Sequence, residues 1–396
     1  MPKIALVVNE PPPYRIPVFN QLAAQPGVDL LVIFCCRREP NRLWDLPPIA
    51  FRHVFLRERI TTVGGRYIHN NPDVLPALAR FAPDVVVGNG FNPTHLYAMA
   101  WCALFRRAYV PMTDGTLRSE QALSWLHLAL RRLVYRRAPA FIAASRGGVA
   151  LYRHYGVPAE RCHLSCLCIA NERYRPPLPA VPKAHDFIFC ARLEPGKNPA
   201  FAIEVAGRCA QTLGRRTRLL VVGSGSLDGE LRRIAASMHD RLDVCFHGFA
   251  SQAELPALYQ SARVFLFPTL ADVWGVVANE ACAAGLPVIV SPHAGVADEL
   301  VVDGQNGFVR PLDAGSWTEV AAQLLSDEAR CAACGERAML MVAPYDFNRA
   351  AQGILDACAA ALAVPKQHAV PRAKALPLHR TVVPERHPAD KRMSPR

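Results

Sequence analysis

The stretch Arg263–Leu312 reads RVFLFPTLADVWGVVANEACAAGLPVIVSPHAGVADELVVDGQNGFVRPL. Its first part, Val264–Phe267, is a short apolar run of the kind that forms a buried parallel strand, and Pro268 ends it. The pattern then predicts a helix over Val276–Ala284 and a second strand over Val288–Ser291. A strand, a helix and a further strand in this order predict a parallel sheet covered by helices.

Two acids follow this strand, one in the loop before the predicted helix and one in the helix itself. Asp272 and Glu280 are separated by seven residues, and Gly275 lies between them. In open parallel sheets, ligands bind at the carboxyl ends of the strands. Asp272 and Glu280 are therefore candidate catalytic residues.

The same alternation of strands and helices extends over most of the chain and predicts an α/β protein with two Rossmann-like, doubly wound domains that face a cleft. Four prolines in the eight residues 175–182 indicate a linker between the domains. The predicted organisation is a first domain over 1–175, a linker over 176–184, a second domain over 185–345, a helix over 346–363 that crosses back to the first domain, and a disordered basic tail over 364–396.

The composition is that of a globular protein. Hydrophobic residues make up 51% and charged residues 20% of the 396 residues, which does not fit a disordered chain. The N-terminal apolar run is too short for a secretory signal, and the longest apolar windows are broken by polar residues. The thirteen cysteines are then expected to be reduced thiols. We expect a cytoplasmic protein that is either free or peripheral on the inner face of the cytoplasmic membrane.

The net charge of +12 is unevenly distributed. Residues 1–180 carry 22 Lys and Arg against 11 Asp and Glu, whereas acids outnumber bases in 181–363. The two halves are therefore expected to meet different partners. Aromatic residues are concentrated in apolar runs rather than among the basic residues, so no nucleic-acid partner is expected.

The segment Asp272-Val-Trp-Gly-Val-Val-Ala-Asn-Glu280-Ala resembles the donor-site motif of retaining nucleotide-sugar glycosyltransferases of family 4, which have the GT-B architecture. In that family the first acid is usually Glu, whereas this chain has the shorter Asp. The resemblance implies transfer of a sugar from a nucleotide-diphosphate donor to a saccharide or lipid-linked acceptor, in the synthesis of surface polysaccharide or glycolipid. It also implies that Asp272 holds a hydroxyl of the donor sugar and Glu280 the ribose hydroxyls.

A departing nucleotide diphosphate needs positive charge and oriented N–H groups where its negative charge develops. Arg192 and Lys197, in the turn ARLEPGKN, resemble the family's phosphate-binding segment, and the two cation types suit bidentate and point-charge contact respectively. The chain contains no Asp-x-Asp motif, the motif with which metal-dependent transferases of the other major fold bind their ion. We therefore expect no metal and no other cofactor.

The remaining donor-side residues also follow from the resemblance. Gly223 and Gly225 form a glycine turn after a strand, and in the family this turn lets the backbone approach the nucleotide. A glycine-rich turn also suits a dinucleotide-binding oxidoreductase, which is one alternative. Phe249 and Ala250 lie where the family contacts the nucleobase. Gly275 and the helix start that follows it, Val276 and Val277, complete the donor-binding set.

The first domain carries fewer motifs. Asp114, in the segment TDGT, resembles a polar position that meets the acceptor or the sugar in a sub-branch of the family, although a turn or N-cap role is an alternative. A GT-B phosphorylase or synthase also remains open, as does a carbohydrate- or nucleic-acid-binding protein without activity.

A basic helix is predicted over Glu120–Arg137, with apolar residues at helical spacing and arginines near its end. The alternatives are a core-packed helix with a solvated basic end and a surface for anionic lipid. The arginines that would meet the acceptor or the membrane are Arg131, Arg132, Arg136 and Arg137.

Overall fold

The computed structural model describes residues 2–40, 46–64, 66–121, 123–176 and 182–364. The first half forms a parallel sheet of seven strands and a separate two-stranded hairpin, β4–β5. The strands in chain order are β1 Lys3–Val8, β2 Asp29–Phe34, β3 His53–Phe55, β4 Ile60–Val63, β5 Arg66–His69, β6 Val85–Gly88, β7 Ala108–Thr113, β8 Phe141–Ala143 and β9 Cys162–Leu164. The helices are α1 Ile16–Ala23, α2 Val74–Phe81, α3 Pro93–Leu104, α4 Leu117–Glu120, α5 Trp125–Arg137, α6 Arg146–His154 and α7 Asn171–Tyr174.

The second half forms a parallel sheet of six strands. Its strands are β10 His185–Cys190, β11 Thr217–Val222, β12 Leu242–Gly248, β13 Ala262–Phe267, β14 Val288–Val290 and β15 Gly307–Val309. Its helices are α8 Pro199–Leu213, α9 Asp228–Ala236, α10 Leu255–Gln260, α11 Val276–Ala283, α12 Ala314–Ser326, α13 Glu328–Val342 and α14 Phe347–Ala363. None of the helices in the described residues combines the length and the apolar character needed to span a bilayer.

Both sheets have the doubly wound strand order. The first runs β3-β2-β1-β6-β7-β8-β9 and the second β12-β11-β10-β13-β14-β15. In each sheet the order reverses next to the first strand, between β1 and β6 or between β10 and β13. Ligands of such sheets bind in the crevice at this reversal. The predicted fold class is confirmed.

The apolar strands explain why each sheet is covered on both faces. The residues of β13 are buried along nearly its whole length, as expected for a parallel strand between two layers of helices. One hydrophobic cluster on the first sheet includes Ile16 and Phe19 of α1 together with Ala350 and Ile354 of α14. Helix α14 therefore packs on the first sheet, although it follows the second in the chain.

The predicted helix over Glu120–Arg137 is wrong in its first part. The chain forms the short α4 and then α5, with Ser124 extended at φ −70° and ψ 161° before α5 begins. Only Val134 and Tyr135 of α5 are buried, so Leu126 and Leu133, which the spacing placed on an apolar face, are exposed. The β4–β5 hairpin was not predicted. Positions 177–181 of the predicted linker, and the predicted tail beyond Val364, lie outside the described residues.

Candidate functional site

The reversal of strand order in the second sheet brings two loops together. One follows β10 and carries Lys197, and the other follows β13 and carries Asp272. The Lys197 Nζ lies 2.5 Å from Asp272 Oδ2, and the two side chains are 22% and 17% exposed. Two predicted site residues that are 75 positions apart thus form an ion pair at the reversal.

Backbone hydrogen bonds make these two loops one unit. The Gly196 carbonyl accepts from Leu270 N at 2.9 Å and from Thr269 Oγ1 at 3.1 Å. Trp274 N donates to Asp272 Oδ1 at 3.2 Å. The Asp272 carboxylate is therefore oriented by a side-chain cation and a backbone N–H together.

Arg192, the second predicted cation, lies at the start of the same loop. Its side chain is exposed, and in the described part of the chain we find no hydrogen bond or ion pair of its guanidinium. Its neighbour Leu193 is fully buried and fixes the backbone there. Arg192 thus presents a positive charge to solvent from a fixed backbone position.

The predicted glycine turn packs directly against this loop. Leu193 N donates to Ser224 O at 3.0 Å, and Leu227 N donates to Leu193 O at 3.0 Å. A Cβ on Gly223 would lie 2.0 Å from the Ala191 carbonyl oxygen, and one on Gly225 would lie 2.4 Å from that of Leu193. The approach of the two backbones therefore requires glycine at both positions, without reference to any ligand.

Helix α11 begins at Val276, four residues after Asp272. Gly275, which precedes it, has φ +104°, and a Cβ there would lie 2.3 Å from the Phe267 ring. Val276 and Val277 form the first turn, where backbone N–H groups have no partner within the helix. These N–H groups and the helix dipole make the start of α11 a favourable place for an anion.

Glu280 is the fifth residue of α11 and lies about one turn beyond the helix start. It is 5% exposed, and its carboxylate accepts hydrogen bonds from Tyr174 Oη at 3.1 Å and from Tyr259 Oη at 2.8 Å. Burial raises the pKa of Glu280 to about 7, and the two hydrogen bonds limit that rise. Neither tyrosine was singled out in the sequence, because the residues around a tyrosine give no sign of a buried partner far along the chain.

Phe249 and Ala250 follow β12, next to the glycine turn. The Gly248 carbonyl accepts from Gly223 N at 2.8 Å, which joins the two segments. The Phe249 side chain is 69% exposed. An aromatic ring of this size left in solvent is available for stacking.

In the first domain, Asp114 follows β7 and forms a partly buried ion pair with Arg15. Arg15 is fully buried, and its Nη2 donates to Asp114 Oδ1 at 2.7 Å. Its Nη1 donates to the carbonyl and the hydroxyl of Ser165, at 3.0 and 2.9 Å. One Asp114 oxygen is thus engaged in joining the loops after β1, β7 and β9.

The four predicted arginines of α5 do not share one surface. Arg131 forms an ion pair with Glu120, and its guanidinium lies 4.2 Å from the centre of the Phe91 ring. Arg132, Arg136 and Arg137 are exposed. The predicted group of exposed cations is therefore reduced to three, because Arg131 is neutralised within the fold.

Two family models match consecutive parts of the chain. The model "Glycosyl transferase 4-like domain" matches residues 18–167, and "Glycosyl transferases group 1" matches residues 170–341. The second match contains Arg192, Lys197, Asp272 and Glu280.

Two curated relatives at 30% identity are similar over less than half of the chain. D-inositol 3-phosphate glycosyltransferase of Nocardia farcinica is 30% identical over 181 residues, which cover 44% of this chain and 40% of that protein. Amylovoran biosynthesis glycosyltransferase AmsK of Erwinia amylovora is 30% identical over 182 residues, 44% of each chain. The alignments thus span less than half of either relative.

Solved structures share the fold over nearly the whole chain. HepE of Anabaena, solved in complex with UDP and glucose, superposes with a TM-score of 0.67 at 17% identity and covers 90% of this chain and 99% of its own. Sucrose-phosphate synthase of Thermosynechococcus elongatus superposes with a TM-score of 0.66 at 19% identity, over 90% and 98% of the two chains. Such likeness shows the GT-B fold. One after the other, residues 18–167 thus resemble a glycosyl transferase 4-like domain and residues 170–341 a glycosyl transferases group 1 domain.

Proposed function

We propose that this protein is a retaining glycosyltransferase that moves a sugar from a nucleotide-diphosphate donor to a saccharide or lipid-linked acceptor. The observation that carries the proposal is the Lys197–Asp272 ion pair at the strand reversal of the second sheet. In this pair, a cation that would bind a phosphate lies beside a carboxylate that would bind a sugar hydroxyl. The family models and the glycosyltransferase names of the relatives support the same class of reaction.

The diphosphate would lie between Arg192, Lys197 and the first turn of α11. A departing diphosphate gains negative charge as its bond to the sugar breaks, and fixed cations and N–H groups stabilise that charge. Lys197 would exchange part of its contact with Asp272 for a phosphate oxygen. Asp272 would then be free to accept from a sugar hydroxyl.

The nucleoside would extend from this point towards Glu280 and Phe249. A carboxylate offers about four lone-pair sites, so Glu280 can accept from ribose hydroxyls while it keeps its two tyrosine partners. The exposed Phe249 ring and the backbone of Ala250 would meet the base. The complex of HepE with UDP and glucose supports a uridine nucleotide as the first donor to test.

Retention would follow from attack on the face that the diphosphate leaves. The bond between the sugar carbon and the diphosphate oxygen breaks, the acceptor hydroxyl oxygen bonds to that carbon, and the hydroxyl proton passes to the departing phosphate. Asp114 would meet the acceptor or the sugar through its second oxygen, because Arg15 holds the first. The product would be a surface polysaccharide or glycolipid, and the Erwinia relative is likewise named for a biosynthetic role, in amylovoran biosynthesis.

The donor site is tested by Lys197→Ala. Loss of the cation should lower kcat/KM for sugar transfer by about 100-fold, roughly 2.7 kcal/mol of transition-state binding. Arg208→Ala is the matched control, since it removes a cation from an exposed ion pair with Glu204 in the same domain. Wild-type turnover in Lys197→Ala, measured with a panel of nucleotide sugars, would contradict the assignment.

Metal independence is a separate prediction. Because Arg192 and Lys197 supply the positive charge, turnover should persist in excess EDTA. The measurement is the initial rate of nucleotide diphosphate release with and without chelator. Complete loss of activity that only Mn²⁺ or Mg²⁺ restores would overturn this part of the proposal.

The burial of Glu280 predicts a pH-dependent stability. Its pKa in the folded protein, about 7, lies above the ordinary value of 4.5, so folding favours the protonated form and the wild type loses stability as the pH rises from about 4.5 to 7. Glu280→Gln does not titrate, so its melting temperature relative to wild type should rise across that range and level off above it. Its donor KM should rise as well, because an amide offers fewer acceptors to ribose.

Glu336→Gln, which alters an exposed glutamate of α13, is the control for this experiment. It should show no such trend between pH 4.5 and 8. A constant difference between Glu280→Gln and wild type over the same range would mean that the pKa of Glu280 is not raised.

The acceptor side of the proposal includes an anionic membrane surface on α5. Trp125 is 78% exposed, Leu126 and Leu133 are exposed too, and Arg132, Arg136 and Arg137 lie on the same helix. Exposed apolar and aromatic residues next to arginines suit the boundary between lipid headgroups and acyl chains.

On the same face of the first sheet as α5, α2 and α3 leave an open apolar groove of about 480 Å³. The groove is lined by Leu75, Pro76, Ala79, Ala100, Trp101, Leu104 and Phe105.

Sedimentation with liposomes tests this surface. Three cations near an anionic leaflet contribute on the order of 1 kcal/mol each, so binding should require anionic lipid and weaken above physiological salt. Replacing Arg132, Arg136 and Arg137 together by Gln should abolish it. The control replaces Arg208, Arg232 and Arg233 of the second domain by Gln. Equal binding to neutral vesicles, or none at low salt, would contradict the proposal.

A further inference from the structure

Arg118 reaches from the first domain to the donor-side loops of the second. It belongs to α4, which follows β7 and Asp114. Its Nη2 donates to the Leu270 carbonyl at 3.1 Å, and its Nη1 contacts Nδ1 of His293. Neither contact is with an acid, and in the described residues no ion pair of Arg118 is present. Among the described residues, the positive charge of this guanidinium is therefore not balanced by a paired acid at the boundary between the domains.

Both partners of Arg118 hold the loops of the Lys197–Asp272 pair. Leu270 N donates to Gly196 O at 2.9 Å, which ties the Asp272 loop to the turn of Lys197. The His293 carbonyl accepts from Asp272 N at 3.1 Å. Arg118 thus contacts the two residues whose backbones fix Asp272 from either side.

The contact with His293 also has a defined polarity. An arginine only donates, so the ring nitrogen Nδ1 must accept, and the remaining proton lies on Nε2. Burial and the neighbouring Arg118 charge lower the pKa of His293, which keeps the ring neutral and able to accept. Removing Arg118 would free both the tautomer and the ring orientation.

We infer that Arg118 is a positioning residue that makes the geometry of Asp272 depend on the first domain. With the first domain seated, Arg118 fixes the loops at Leu270 and His293 and so aligns the carboxylate that holds the donor sugar. With the first domain displaced, these loops lose that restraint. Sugar transfer is then coupled to the arrival of the domain that brings the acceptor. The inference rests on the proposed donor site.

A second contact between the domains provides the matched control. The Glu299 carboxylate accepts from the backbone N of Arg146, at 2.9 and 3.1 Å to its two oxygens, at the start of α6. This contact also holds the two domains together, but Glu299 forms no hydrogen bond to the loops of Lys197 and Asp272 in the described residues. Loss of Glu299 therefore weakens domain seating and leaves the restraint by Arg118 in place.

The experiment compares Arg118→Met, Arg118→Lys and Glu299→Ala in the full chain, with the nucleotide sugar that the wild type turns over. Arg118→Met should lower kcat by about 30-fold through misalignment of the sugar, while the Kd for the free nucleotide diphosphate changes less than about twofold. Arg118→Lys should recover part of the rate, since one ammonium can reach one of the two acceptors. Glu299→Ala should lower kcat by no more than about threefold.

Three results would overturn the inference. Equal losses of kcat in Arg118→Met and Glu299→Ala would show that Arg118 only holds the domains together. A parallel loss of diphosphate affinity and melting temperature would show a role in folding. A wild-type kcat in Arg118→Met would show no role. None of these outcomes contradicts the proposed function, whereas a wild type that turns over no nucleotide sugar would overturn the proposed function and this inference with it.

Discussion

In the second sheet, β10 and β13 are neighbours, but the next strands along the chain lie on opposite sides of this pair: β11 beside β10, and β14 beside β13. The loops after the two strands must therefore diverge, and a crevice opens between them at the carboxyl edge of the sheet. Lys197 and Asp272 come together there because of this topology, since 75 residues separate them in the chain. The glycine turn, the start of α11 and Arg192 are arranged around the same crevice.

Through its hydrogen bonds, Glu280 connects this crevice to the segment of chain that joins the two domains. A buried carboxylate is costly unless hydrogen bonds compensate for lost water. Its compensation comes from Tyr259 of α10 and from Tyr174 of α7, the last short helix before the chain enters the second sheet. The acid thus orders the segment that joins the two domains, and this role is independent of any contact with ribose.

Much of the fold could be predicted from the sequence, because buried parallel strands are continuous apolar runs and proline and glycine mark their ends. Strand β13 and helix α11 illustrate this. The α5 region could not be predicted in the same way. Helical spacing alone cannot tell whether Leu126 and Leu133 face a core or solvent, and no proline or glycine in the sequence signals the helix break at Ser124. Half of the strand residues of the short β4–β5 hairpin are exposed, and the hairpin lacks the apolar alternation that would reveal it.

The residues of the candidate site could be predicted from their types and spacings. The contacts between them could be predicted less well. The spacing of Asp272 and Glu280 pointed to one loop and helix, but the Lys197–Asp272 ion pair depends on two distant loops. Arg131 shows the opposite case. From the sequence, its charge was grouped with those of the other α5 arginines. In the fold, Arg131 pairs with Glu120 and lies over the Phe91 ring, and no local sequence pattern connects it to either residue.

The return of α14 to the first sheet has a consequence for synthesis on the ribosome. Ala350, Ala351 and Ile354 complete the cluster that covers one face of that sheet, and they are translated after the whole second domain. The first domain emerges early with α1 on this face but with the place of α14 uncovered, and it is completed only when α14 arrives. At about 5–20 residues per second, nascent chains would expose an apolar surface for roughly ten seconds or more, an interval in which a chaperone could occupy the place of α14.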